Sequence, residues 1–378
     1  MNLTDLQSLP VWQLVAAGIF VGSLVVQLFY YLFFFLRLAL YKPVEDNSRP
    51  QPVSVIICAW NEEENLKKNL QSVLEQDHPE FEVIVVNDHS VDESDLMLQA
   101  WQQRYEHLRV INLSRENAQM RGKKFAISMG IKGAKYENLM FTDADCRPSS
   151  KYWLRTVSQG LKDEKMIVLG HGAFERRKGL FNKFYRYEGI HIALQFFSYA
   201  LAGMPYMGVG RNLAYRKDLF FQTKGFIKHR HVASGDDDLL VNEVSTSKNT
   251  SIEVRKGSHT ISEPVESLSA WWIQKRRHLS TGSYYRLSSK ILLGIYTTSH
   301  LMFYLSLFVV LSTGTLYWLA LCGILVKWTV HLSIIRVVTR LLEEDDLLLF
   351  SLLGDMFTPF FNTAAAISNR ISPATRWR

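Results

Sequence analysis

Val53-Ser54-Val55-Ile56-Ile57-Cys58-Ala59-Trp60-Asn61-Glu62-Glu63 opens the part of the chain that decides its fold. The first seven residues, rich in β-branched side chains, read as a short buried strand. The polar residues after them lead straight into Leu66, Leu70, Val73 and Leu74, a spacing that predicts a helix over Asn61–Glu75. The alternation repeats: Phe81–Val86 predicts a strand, Leu96–Tyr105 a helix, Arg109–Leu113 a strand, Lys124–Gly133 a helix and Tyr136–Phe141 a strand. Strands alternating with helices predict an α/β domain over 53–263, with a mostly parallel, Rossmann-like sheet covered on both faces. Ligands of such sheets sit beyond the strand C-termini. Polar clusters at 59–64, 87–90 and 142–147 fall there.

Outward from this block the composition changes. No charged residue occurs between Leu6 and Leu36. A bilayer core takes about 20 helical residues, so 1–40 predicts an N-terminal membrane helix. A signal peptide would begin with basic residues, whereas this start carries Asp5 and no Lys or Arg. Segment 41–52, with Pro43, Pro50 and Pro52, reads as a linker. Arg37, Lys42 and Arg49 after the helix predict that the domain faces the cytoplasm. On the far side, 264–290 reads as an amphipathic interface segment, and 291–311 and 315–338 as two membrane helices around Ser312-Thr313-Gly314. Lys327 and His331 within the second are costly unless they face protein or reach an interface. The run 347–367, with Asp355 and Pro359, either spans or dips in and returns. Arg370, Arg376 and Arg378 after it argue against crossing.

The chain has 378 residues, enough for two or three units. Its 47% hydrophobic and 21% charged composition excludes a disordered chain. Three cysteines without CxxC spacing exclude a disulfide scaffold and a zinc ribbon. The net charge of +7 lies largely near the membrane segments, where anionic lipid accounts for it, and no nucleic-acid partner is expected.

Several short motifs carry chemistry. Asp143 and Asp145, two apart after a buried strand, reach one ligand region, and hard carboxylate oxygens suit a divalent cation on a diphosphate. Asp in a turn is also common without one. Asp88 after the second strand accepts a hydrogen bond from a base or ribose, or closes an Asx turn. Glu62 opens a helix whose backbone N–H groups favour an anion, or it is simply an acidic first-turn residue. Gly122-Lys123-Lys124 approaches a nucleotide or forms a solvated basic turn. Asp236-Asp237-Asp238 offers a proton acceptor, because neighbouring like charges raise one another's pKa, or else an acidic helix cap. Trp271-Trp272-Ile273-Gln274-Lys275-Arg276-Arg277-His278 either neutralises a leaving diphosphate or lies on anionic lipid.

In this order the motifs resemble the membrane-bound glycosyltransferases of family 2, which include cellulose, chitin and hyaluronan synthases and many lipid-directed bacterial enzymes. The resemblance covers about 50–290 and rests on Val53–Glu63, Val85–Ser90, Gly122-Lys123, Asp143-Ala144-Asp145, Gly208–Arg216, Gly235-Asp236-Asp237 and Gln274–His278. It implies a GT-A domain flanked by transmembrane helices, acting at the cytoplasmic face of a bacterial inner membrane. It also implies a nucleoside-diphosphate sugar donor, a lipid-linked or glycan acceptor, contact with membrane lipids, and Mg²⁺ or Mn²⁺. By the same resemblance Ala59, Glu62 and Asp88 hold the nucleotide, and Lys123 is the family's basic position, with Lys124 as the other register. Asp143 touches the nucleoside, Asp145 binds the metal, and Arg211 and Asn212 line the acceptor side. Asp237 is the general base, with Asp236 as the other frame. Gln274 and Arg277 match the first and fourth positions of QxxRW. The final Trp of that motif is His278 here. In the polymer synthases the Trp lies under the acceptor sugar, so transfer of one or a few sugars is expected over processive synthesis. Retention of every aspartate argues against a non-catalytic scaffold. An imidazole titrating near neutrality would hydrogen-bond a polar acceptor group, meet a lipid phosphate, or merely face the membrane interface.

Overall fold

The computed structural model describes residues 9–43, 49–113, 122–232 and 234–372. Asp5, Arg376, Arg378 and part of the 41–52 linker lie outside them. After α1 (Val11–Leu40) the α/β block runs β1 (Val53–Ala59), α2 (Glu63–Leu74), β2 (Phe81–Asn87), α3 (Ser94–Arg104), β3 (Leu108–Asn112), α4 (Lys123–Gly133) and β4 (Asn138–Phe141). It continues with β5 (Cys146–Pro148), α5 (Trp153–Ser158), β6 (Ile167–Gly170), β7 (Gly172–Phe174), α6 (Leu180–Leu201), β8 (Leu213–Arg216), α7 (Lys217–Gln222), α8 (Asp238–Val244), β9 (Thr250–Glu253) and β10 (Thr260–Ser262). The chain then enters α9 (Leu268–Thr281), α10 (Leu287–Ser312), α11 (Tyr317–Leu341) and α12 (Phe350–Ile371).

The main sheet has the order β3-β2-β1-β4-β8-β6-β9, and β5, β10 and β7 form a small second sheet. Only β8 runs against its neighbours β4 and β6 in the main sheet. Period-two alternation divides β1 between two cores. Val53, Val55 and Ile57 pack with Leu66, Leu70 and Val73 of α2, while Ile56 packs with Ile127 and Ile131 of α4. Register brings the functional loops level. Ala59 lies opposite Asn87, and Ile56 opposite Phe141. The antiparallel step pairs Phe141 with Leu213, so the turn before β8 lies at the same sheet end as the loops after β1, β2 and β4.

Helix α6 is buried around its whole circumference, as a helix between two layers must be. The Tyr199 ring lies 5.0 Å from Phe34 of α1, while Phe174 of β7 packs at a tilt on Tyr185, centroids 4.3 Å apart.

Among the described residues, three helices are long and apolar enough to cross a membrane: α1, α10 and α11. Phe20 stacks on Phe303 at 5.1 Å, and the Gln27 amide donates to Ser299 Oγ at 2.8 Å. A π-helical stretch at Tyr30–Phe35 turns four of its six aromatic and apolar residues inward. Helix α12 is two-faced. Ser351, Gly354, Asp355 and Thr358 are buried, while Leu353, Phe357, Phe361 and Ile367 are exposed, the pattern of a helix lying along an apolar boundary. Lys327 and His331 face protein: Lys327 pairs with Asp355, and His331 shares a hydrogen bond with Tyr31 at 2.8 Å. Tyr304 also donates to Asp355. The turn before α12 docks on the domain through Glu344 and Asp346, which both pair with Arg186 of α6.

Candidate active site

The sheet ends open a cleft lined by Cys58, Lys123, Thr142, Asp143, Gly210, Asp236 and Asp237, with Ile56, Phe141 and Tyr215 at its apolar floor. The Lys123 ammonium donates to Asp143 Oδ1 at 2.7 Å and lies 3.4 Å from Asp236. Burial works against its charge, but Asp143, Asp236 and Asp237 hold its pKa well above the usual lysine range. The two carboxylates of the β4 loop are driven apart. Burial opposes ionisation of Asp143, yet Lys123, then Arg211 and Arg277, keep it below its ordinary range. Asp145 is raised, by burial first and by the charge of Asp143 second. Its Oδ1 accepts the Cys146 thiol at 3.3 Å. Ligand atoms of Asp143, Asp145 and Cys146 fall within 4.8 Å of one another. A divalent cation fits the two carboxylates of this set, since it supplies the positive charge that Asp145 lacks, while the Cys146 thiol stays protonated as a donor to Asp145. Glu62 joins the same side: its carboxyl is raised by burial, and by Asp145 and Asp143.

The three aspartates at the start of α8 point to different tasks. Asp238 is buried, and its Oδ2 accepts the Thr281 hydroxyl at 2.5 Å and the Tyr285 hydroxyl at 2.6 Å. It fastens the turn to the α9–α10 junction. Asp237 accepts the Gly210 N–H at 2.6 Å on one oxygen and the Asp238 N–H at 2.7 Å on the other. It ties the turn to the segment before β8. Burial, then Asp236 and Asp238, push its pKa up to about 7. Asp236 meets Lys123 and faces the cleft.

Two cations face the carboxylates with a donor to spare. Arg211 lies 3.9 Å over the Phe174 ring and donates through Nη1 to Ser262 at 3.2 Å. The buried Nε of Arg211 and that of Arg277 have no hydrogen-bond partner among the described residues. Gln274 accepts the Tyr185 hydroxyl at 2.6 Å, which locks α9 to α6. Burial raises that phenol to about 12. Unpaired guanidinium donors beside a carboxylate pair are the surroundings of an anion that bridges them.

The model of glycosyl transferase family 2 matches residues 54–221. Over that stretch the chain carries a glycosyl transferase family 2 domain. The α8 and α9 motifs lie outside that stretch. Over 120 residues the chain is 32% identical to a poly-beta-1,6-N-acetyl-D-glucosamine synthase of Staphylococcus epidermidis, covering 31% of this chain and 27% of that protein. It is 24% identical over 249 residues to the probable glycosyltransferase YdaM of Bacillus subtilis, covering 61% and 56%. The match thus spans about a quarter of the first relative's length and about half of the second's. Among solved structures, the mannosyltransferase PcManGT from Pyrobaculum calidifontis in complex with GDP-Man and Mn²⁺ superposes with a TM-score of 0.58 at 19% identity. That superposition covers 92% of this chain and 99% of that one, and shares the GT-A fold.

Glu62, Asp88, Lys123, Asp143, Asp145 and Arg211 of the matched stretch converge at the sheet end with Asp236, Asp237 and Arg277 from beyond it. Asp88 is held by His89 Nδ1 at 2.7 Å and by the Gly122 N–H at 3.3 Å, which brings the β2 loop to the basic turn. Two expected binding residues lie beneath the site instead. Ala59 has its side chain in the core, and its carbonyl accepts the Asp88 N–H at 2.8 Å. Asn212 is fully buried. Its amide donates to the carbonyls of His171 and Ser258 and accepts from Trp153, so it supports Arg211 from below. Of the two adjacent lysines, Lys123 faces the cleft, while Lys124 turns away to the carbonyls of His229 and Val232. His278 is exposed on α9. Enclosure by protein, then Arg277 and Arg211, lower its pKa, so the ring is neutral at pH 7. Tyr185, Cys146, Thr281 and Tyr285 were not expected at the site. Tyr185, Thr281 and Tyr285 lie far along the chain from their partners Gln274 and Asp238, and Cys146 sits beside Asp145 with no spacing that marks it.

Proposed function

We propose that the chain is an inverting glycosyltransferase that moves a sugar from a nucleoside-diphosphate donor to a hydroxyl of a membrane-proximal acceptor. The observation that carries this is the pair of buried, unpartnered Nε donors of Arg211 and Arg277 beside Asp143 and Asp145. A diphosphate held through a cation answers both halves of that arrangement. Asp145 and Asp143 would hold the cation, Mg²⁺ or Mn²⁺, which supplies neutralising charge on the diphosphate oxygens. Glu62 and Asp88 bound the nucleoside side. Lys123 fixes Asp143 against Asp236. Asp236 takes the proton of the attacking hydroxyl, because its carboxylate faces the cleft while both oxygens of Asp237 are occupied by backbone N–H groups. The expected base therefore shifts by one residue, and Asp237 becomes a positioning residue. Arg277 and Arg211 meet the negative charge that builds on the departing diphosphate.

Arg37 and Lys42, at the end of α1 and just past it, favour the cytoplasmic face for the domain. The space between the spans and α12 is filled by Asp355, Lys327, Tyr304 and His331, each at most 1% exposed. That packing supports transfer of one or a few sugars over threading of a polymer. Membranes incubated with a panel of labelled nucleotide sugars, then extracted for lipid, test the reading. Label in the lipid extract that requires Asp236 is expected; no transfer from any donor would refute it.

A further inference from the structure

Ahead of the acidic turn, the segment from α7 to Val232 has an outer side that is both apolar and basic. Phe221 and Ile227 are 49% and 63% exposed, and Lys224, Lys228 and Arg230 are exposed beside them. Its inner side is anchored. Phe226 packs on Phe220 with ring centroids 5.2 Å apart, and Lys124 of α4 donates to the carbonyls of His229 and Val232 at 2.7 and 2.9 Å. A single exposed apolar residue needs no explanation, but the place of these does. The rings of His229 and His231 lie 6.2 and 5.5 Å from that of Tyr284. Tyr284 ends the turn just before α10, whose first residue, Leu287, is 72% exposed. Helix α10 has 26 residues. At about 1.5 Å each this is longer than a hydrocarbon core of about 30 Å, so its first turn stands at headgroup level.

We propose that 221–231 is a docking finger for the anionic phospholipid leaflet under the domain. Phe221 and Ile227 enter the acyl boundary, while Lys224, Lys228 and Arg230 meet lipid phosphates. Lys228, although paired with Glu243, stays exposed. Ser234, which opens the acidic turn, follows Val232 closely in the chain, so leaflet contact bears directly on the position of Asp236. The inference rests on reading α1, α10 and α11 as spans, and its test separates the two.

The full chain is reconstituted in vesicles of phosphatidylcholine or phosphatidylglycerol that carry doxyl-labelled acyl chains, with a bimane probe on one cysteine. Cys322, exposed on α11, reports the span in the unaltered chain. Ile227→Cys in a Cys322→Ser background reports the finger, and Leu96→Cys in the same background reports the far side of the domain. Quenching is expected at 322 in both lipids, at 227 chiefly in phosphatidylglycerol, and not at 96. About 0.5 M salt should weaken the signal at 227 and leave that at 322. Lys224→Gln, Lys228→Gln and Arg230→Gln together should weaken it about fivefold per charge. An unquenched 322 would refute the membrane reading itself. A quenched 322 with an unquenched 227, or equal quenching at 227 in both lipids, overturns the finger.

Discussion

Asp355, among the helices apolar enough to cross a membrane, pairs with Lys327 and accepts hydrogen bonds from Tyr304 and Tyr31, with His300 Nε2 3.0 Å away. Asp145, at the end of β4, has the Cys146 thiol as its one donor among the described residues. Both are acids amid apolar structure, and the difference lies in who answers the charge. Around Asp355 the chain answers it completely, because lipid offers no partner and an unpaired ion there is costly. At the cleft the chain leaves carboxylates short of cations and guanidinium nitrogens short of acceptors. A folded protein keeps such an imbalance where a ligand completes it. The same comparison explains why Lys327, which the sequence marks as anomalous, is structural, whereas Lys123, on a common Gly-Lys turn, belongs to the site.

The comparison breaks most readily at the acidic turn. Asp236→Asn should lower turnover about 10²–10⁴-fold, with nucleotide binding retained. Asp237→Asn should act less, by loosening the Gly210 turn, and a dead Asp237→Asn beside an active Asp236→Asn would return the base to Asp237. Asp355→Asn should act on stability instead, costing about 3–5 kcal/mol because Lys327 is left buried without its partner. Replacing the pair together, by Lys327→Met and Asp355→Leu, should restore the melting temperature measured in detergent. A double variant that melts as early as the single one would mean that the cluster does more than hold the helices. Next in size, Arg277→Gln should weaken binding of a nucleoside diphosphate about 10–100-fold in calorimetry while leaving the melting temperature near its original value. Unchanged affinity would remove Arg277 from the diphosphate.

The smallest effect is one of pH. Asp237 titrates near 7 in the folded chain and near the ordinary aspartate value when unfolded. Between those values the folded state holds the extra proton, so this group makes the ligand-free chain less stable as pH rises from about 4 to 7, and flat above. The melting temperature of Asp237→Asn should lack that decline. An identical pH profile would show that Asp237 does not titrate there.

Much of this was legible because it is local. The strand and helix alternation from Val53 to Phe141 has strong period-two and helical signals, and the loops at its strand ends follow from sheet geometry. Helix α6 left no such mark: buried on all sides, its Tyr185–Leu201 stretch has no polar face to set a period. The roles of Asp236, Asp237 and Asp238 are likewise invisible in a run of three identical residues. They separate only when Lys123, Gly210 and Tyr285 arrive from other elements. Asn212 shows the converse case, since its polar side chain beside Arg211 resembles a ligand until Trp153, His171 and Ser258 are seen to consume it.

The claim that the cleft is an incomplete charge arrangement, finished by a cation and a diphosphate, is tested most directly by calorimetric titration. Purified chain in lipid nanodiscs is titrated with UDP and GDP, with Mn²⁺ or with chelator, alongside Asp145→Asn. The account predicts binding of at least one nucleotide in Mn²⁺, lost in chelator and lost in the variant. Equal binding in chelator, or undiminished binding by Asp145→Asn, would contradict it.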